Sequence, residues 1–227
     1  VPWGAALILQ NEFCNNYERE RQMFKQLSID QFTKTLASDS PAPGGGSAAA
    51  MAGAAAGSLV AMVASLTAGK KGYEEHWDEM SKISEEMEGV RSFFLEAMDR
   101  DADSYAKVIG CFKLPKNSEE EKKLRSEAIQ DALYGAALVP LEIAEKAAGI
   151  FEYAKSVIEK GNENAASDGA VAALMARASV KGALYNVKIN AASLKDPERK
   201  AGLLEKAADL ETKADAAEQE ILGLLVF

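Results

Sequence analysis

The sequence predicts an all-α protein, a bundle of helices joined by short connections, and three observations lead there. Alanine is very frequent and aromatics make up only 7% of the 227 residues, a mixture that favours helix over sheet. No stretch alternates apolar and polar residues between turn signals, as a half-buried strand would. Between residues 73 and 112 apolar residues recur at sevens instead. Met80, Met87, Phe94 and Val108 form one seam, and Ile83, Val90, Ala97 and Cys111 its companion.

The elements follow in order. Residues 1–22 read as an extension or a misplaced start ahead of a helical domain over 23–227. Their apolar stretch has no basic segment before it and no small-residue cleavage site after it, so it makes a poor signal peptide. A terminal arm packed on a neighbour is the alternative. Ser28 and Gln31 form a capping box, with Leu27 and Phe32 placed as a hydrophobic staple, and open a short helix carrying Ile29, Phe32 and Leu36. Residues 40–46, Ser-Pro-Ala-Pro-Gly-Gly-Gly, cannot be helical. Residues 47–68 carry no charge and could span a bilayer by length. They are rich in alanine, glycine and serine, however, which suits the central helix of a bundle, and Gly53 and Gly57 at small-xxx-small spacing allow close backbone approach.

The heptad helix ends at Leu114-Pro115-Lys116-Asn117, and a second capping box, Ser118 with Glu121, opens a long helix in which Pro140 predicts a kink and Gly161 a C-cap. Ser167 and Asp168 are candidate caps for a helix carrying Val171, Leu174, Ala178 and Leu184. Asp196-Pro197 caps the last one. Six helices are expected.

Charge and composition exclude several functions. A net charge of −9 without a basic stripe argues against nucleic-acid binding. Cys14 and Cys111 form no CxxC, so a disulfide framework and a thiolate zinc site are not expected, and a reducing, cytoplasmic compartment fits. A single histidine, His76, excludes a multi-histidine metal site and leaves acid–base chemistry to a carboxylate, a lysine, a tyrosine or water.

The heptads also single out a catalytic candidate. Between Phe94 and Val108 the first seam reads Asp101, an aspartate aimed inward where a hydrophobe is due. Desolvation raises a carboxylate's pKa towards values useful in proton transfer. Alternatively, Asp101 is satisfied by a lysine or by backbone at a helix irregularity. Asp99 and Asp103 point elsewhere and are expected to be solvated. Pro43, Gly44, Gly45, Gly46 and Ser47 form a glycine-rich loop before a helix, offering N–H groups to an anion or a carbonyl-rich ring, or else a tight connection. Asn186 and Asn190 share a helix face and could read the donor and acceptor edge of a ring or bridge helices. Lys70 and Lys71 follow the alanine-rich helix, where cations also complement its dipole.

These segments resemble a known family. SPAPGGGSAAA (40–50), DRDADSY (99–105), Leu114 to Asn117 with the acidic run after it, Val139-Pro140-Leu141, Ser167-Asp168 and NVKIN (186–190) are similar, in order, to motifs of the cyclodeaminase/cyclohydrolase family. It includes the C-terminal domain of formiminotransferase-cyclodeaminase and bacterial methenyltetrahydrofolate cyclohydrolases. The resemblance implies an antiparallel, up-and-down bundle that dimerises, with a reduced folate in a cleft lined by the glycine-rich loop. It puts the essential aspartate at Asp101, and Ser167, Asp168, Lys70, Lys71, Asn186 and Asn190 among the substrate contacts. No metal, redox cofactor, nucleic acid or membrane is implied. Cyclohydrolysis is expected ahead of cyclodeamination, because no transferase domain accompanies the chain. A non-catalytic dimeric scaffold would explain the heptads but neither Asp101 nor the glycine loop.

Overall fold

Both serine-led capping boxes form, and each starts a helix where its sequence places one. The computed structural model describes residues 23–225, and the expectations for residues 1–22 lie outside the described residues. Ser28 accepts from the Gln31 N–H and opens α1 (Ile29–Leu36), and Ser118 does the same with Glu121 to open α4 (Glu119–Ala148). Between them lie α2 (Gly45–Thr67) and α3 (Trp77–Phe112). After α4 come α5 (Ile150–Lys160), α6 (Ala166–Ala192) and α7 (Pro197–Leu222), the last capped by Asp196 with Pro197 at its first position. Among the described residues all regular structure is helical, so the all-α class holds.

α2 is the central helix, packed between α3 and α6. It runs antiparallel to α3: Ser47 at its start meets Met98, and Ser65 near its end bonds Ser84. It runs antiparallel to α6 as well, Gly182 lying against Ala49 and Gly161 against Thr67. α4 closes the bundle across α3 and α6, and α7 lies on α6 through ion pairs from Arg177 and Lys181 to Asp215. By length and composition α2 could cross a membrane, yet it serves as the core helix. Small residues make this possible. A Cβ on Gly53 would lie 2.5 Å from the Phe94 ring and one on Gly57 3.3 Å from Val90, so the α2–α3 approach depends on both glycines.

Both heptad seams of α3 are buried, from Met80 at 0% exposure to Val90 and Cys111 at 8%. Four expectations need correction. The helix expected to reach Gly161 breaks at Gly149, so seven α-helices stand among the described residues where six were expected. Glycine holds a helix poorly, and the break turns Ile150, Phe151 and Val157 into the core. Ile29 is 80% exposed; Phe32 alone of its helix is buried. Val171 and Leu174 face outward on α6, because the side facing the bundle is reserved for alanines such as Ala172, Ala173 and Ala176, which let helices approach closely. Ser167 and Asp168 lie within the first turn of α6 and do not cap it; the cap nearby is Asn162, on the short 3₁₀ turn before it.

Candidate functional site

The start of α2 is where one helix presents unpaired N–H groups and another presents a carboxylate. Gly44, the N-cap, has no side chain to satisfy the first turn. Asp101, on α3, takes that place: Ser47, third residue of α2, turns both its backbone N–H and its hydroxyl toward the carboxylate. Ser47 Oγ is 2.9 Å from the Met98 carbonyl and 3.3 Å from Asp101 Oδ2, so its single proton is shared and the bond to Asp101 is the longer.

Gly46 makes the approach possible. A Cβ there would lie 2.1 Å from Asp101 Oδ1, so any other residue would expel the carboxylate. Burial pushes the Asp101 carboxyl above its ordinary pKa, and the two Ser47 contacts oppose this without reversing it. Among the described residues no cation pairs with Asp101. Such a group can hold or release a proton near neutrality and can face a cation when ionised. The glycine loop lines the same place, with Pro43 and Gly46 buried and Gly45 exposed.

Asn186 is beside this loop, where a Cβ on Gly45 would be 3.3 Å from its Nδ2. That amide donates to the Gly182 carbonyl of its own helix. Asn190, one turn on, donates to the Ala136 carbonyl at 2.9 Å. Ala136 is four residues before Pro140, which has no N–H to give it. α4 therefore continues through Pro140 because α6 supplies the missing donor.

Lys70, Lys71, Ser167 and Asp168 are elsewhere. Lys70 and Lys71 follow the C-terminal end of α2, about 33 Å from Gly45 at 1.5 Å per residue. The start of α6, with Ser167 and Asp168, is at that end too. Lys70 Nζ bonds Asn162 Oδ1 at 2.6 Å, and Thr67 Oγ1 accepts from the Asn162 N–H at 2.9 Å. Within one chain these residues do not join the Asp101 cluster. Sequence reasoning missed Asn162, whose signal was its place after the helix-ending Gly161. It also misplaced Asp99, which is 7% exposed and accepts from the Phe24 N–H at 2.7 Å. Asp103 is partly buried as well. Among the described residues no three His, Cys, Asp or Glu side chains are grouped to hold a metal ion.

Residues 28–209 match the family model described as formiminotransferase-cyclodeaminase. The chain belongs to that family. A methenyltetrahydrofolate cyclohydrolase of Methylorubrum extorquens is 41% identical over 169 residues, 74% of this chain and 81% of the relative. The formimidoyltransferase-cyclodeaminase of Rattus norvegicus is 30% identical over 204 residues, 90% of this chain but 38% of the longer relative. The crystal structure of a formiminotetrahydrofolate cyclodeaminase from Thermotoga maritima superposes with a TM-score of 0.79 at 31% identity, covering 88% of this chain and 96% of that one. The family fold therefore extends over nearly all of the described bundle.

Proposed function

We propose that the chain is a methenyltetrahydrofolate cyclohydrolase, converting 5,10-methenyltetrahydrofolate to 10-formyltetrahydrofolate. The observation that carries this reading is the partly buried carboxylate of Asp101, set against the glycine-lined start of α2 with no cation paired to it among the described residues. The Methylorubrum relative, similar over most of both chains, supports the substrate.

In the substrate one carbon bridges N5 and N10 as a delocalised amidinium cation. Asp101, ionised, favours that cation and accepts a proton from the water that attacks the bridging carbon. The resulting carboxylic acid returns the proton to N5 as the carbon–N5 bond breaks, and the hydroxyl on the former bridging carbon gives up its proton to solvent, leaving the formyl group on N10, the carboxylate regenerated and one proton released overall. The loop from Pro43 to Ser47 would border the folate ring, and Asn186 would flank it.

A second reading, formimidoyltetrahydrofolate cyclodeaminase, is supported by the Thermotoga structure. There N10 attacks the formimino carbon, and Asp101 takes the N10 proton and passes it to the departing ammonia, again through a tetrahedral carbon between N5 and N10. Loss of the methenyl absorbance, corrected for spontaneous hydrolysis, tests the first reading on the purified chain. Enzyme-dependent ammonia release from the formimino substrate, with cyclohydrolysis no faster than buffer, would install the second.

The active form we propose is a homodimer, and a cytoplasmic location belongs to the same reading, resting on cysteine usage. Exposed apolar side chains support the dimer: Met62 and Leu66 on α2, and Val171, Leu174, Tyr185 and Ile189 on its neighbour α6, the last two 64% and 67% exposed. A twofold axis across the middle of α2 would carry the Lys70 end of one chain to the Asp101 end of the other. Light scattering that finds a monomer at micromolar concentration would remove this part of the proposal.

A further inference from the structure

α3 does not stop where α2 begins. It continues eleven residues past Asp101 to Phe112, about 16 Å at 1.5 Å per residue. On the side of Asp101, the spacing Asp101, Tyr105, Ile109, Phe112 keeps one helix face. With no α2 left to cover that face, Tyr105 is 44%, Ile109 36% and Phe112 50% exposed. An apolar, partly aromatic track thus leads away from the carboxylate.

The track ends at a cavity of about 310 Å³ between the end of α3, the first half of α4 and the α6–α7 connection. Ile129 and Leu133 form its apolar wall, and Arg125 and Lys195 supply two cations. Arg125 is held under the Phe112 ring and donates through Nη2 to the Phe112 carbonyl at 3.0 Å. Its Nε is buried and has no hydrogen-bond partner among the described residues. Lys195 is steadied by Ser126 and, through its N–H, by Gln130. The sequence is locally basic here: residues 107–125 hold six cations against three acids in a chain of net charge −9.

From this we infer that Arg125 and Lys195 bind the glutamyl carboxylates of the folate, with the p-aminobenzoyl ring lying along Tyr105 and Ile109. The inference rests on the folate reading of the Asp101 site and adds a tail subsite to it. The chemistry matches part by part. A bent, mostly apolar arm ends in carboxylates, and an apolar track ends in a guanidinium with an unused N–H and an ammonium. Further γ-linked glutamates would extend towards the same basic segment, so affinity should increase with tail length and weaken with salt.

The test compares Arg125→Gln and Lys195→Gln with wild type on three substrates: methenyltetrahydrofolate, its triglutamate, and methenyltetrahydropteroate, which lacks glutamate. Each variant is expected to raise KM for the first about tenfold and for the triglutamate more, with kcat changed far less. On the pteroate the ratio between variant and wild type should fall to about one. Lys195 serves as the control for folding, since among the described residues its Nζ is tied only to the Ser126 hydroxyl, in an exposed bond. Equal losses on all three substrates, or none on any, would overturn the subsite. A wild type inactive on every methenyl substrate would instead refute the folate reading beneath it.

Discussion

The two ends of α2 meet the same neighbour, α6, yet they handle polar groups in opposite ways. At the C-terminal end each group is matched. The Thr67 hydroxyl donates to Val63 and accepts from Asn162, Asn162 receives Lys70, and the Trp77 indole caps the Lys70 carbonyl. At the N-terminal end a carboxylate is partly buried with a shared hydroxyl proton and one backbone N–H for company. A cation there would stabilise the fold better, and would also hold the carboxylate's proton affinity too low for proton transfer. The difference separates an end whose polar groups are matched from the end where we propose that the chemistry occurs.

Removing that reactivity should produce the largest effect. Asp101→Asn is expected to keep the fold and lose turnover by roughly a hundredfold or more, as loss of a general acid–base does. A near-normal rate would make Asp101 a helix cap and nothing else. The pH dependence carries the same signature with two signs. Activity needs the anion, so kcat/KM should fall on the acid side through a midpoint above the ordinary carboxylate value. Stability runs the other way. Because the folded pKa is raised, the contribution is complete below the unfolded pKa and is lost as pH rises through the folded one. Asp101→Asn should therefore unfold no more easily than wild type at neutral pH, and thermal melts across pH would check it.

Gly46→Ala attacks the approach itself. The new Cβ collides with Asp101 Oδ1, so activity should fall at least tenfold, with a stability loss of about 1–3 kcal/mol as overpacking brings. Denaturant unfolding beside the absorbance assay separates the two. Asn190→Ala sharpens the contrast, since this amide belongs to the reactive end but does structural work there. Orphaning the Ala136 carbonyl should cost about 1–3 kcal/mol, and kcat should be less affected than in Asp101→Asn. The smallest effect is expected from Lys70→Gln: a modest fall in melting temperature, with KM raised severalfold if the dimer carries this end to the other chain's site. An unchanged KM would argue against that twofold arrangement.

What was legible in the sequence followed from periodicity and local chemistry. The seams of α3 place Asp101 inward by periodicity alone, and Ser28, Ser118 and Asp196 mark helix starts because a cap is decided within four residues. Readings that ranked residues by hydrophobicity failed where close approach mattered more than apolar area. Val171 and Leu174 are larger and more apolar than Ala172 and Ala176, yet they face outward while the alanines fill the inner face. Asp99 read as solvated because its partner, the N–H of Phe24, is 75 residues away. The helix expected over 47–68 already sets Lys70 and Lys71 at the opposite end from the glycine loop, and only the resemblance groups them as contacts of one substrate.

The spacing of Gly53, Gly57 and the alanines around them has a consequence for precision. A methyl group has no rotamers, so the surface that α2 offers to α3 has few alternative shapes and loses little side-chain entropy on burial. The rings and branches that α3 brings, Phe94 and Val90, then seat directly on the main chain of α2 at Gly53 and Gly57. At Gly46 nothing stands between α2 and the Asp101 carboxylate, so the approach there is that of a caliper with one short jaw, its setting fixed by two main chains and the torsions of a single side chain.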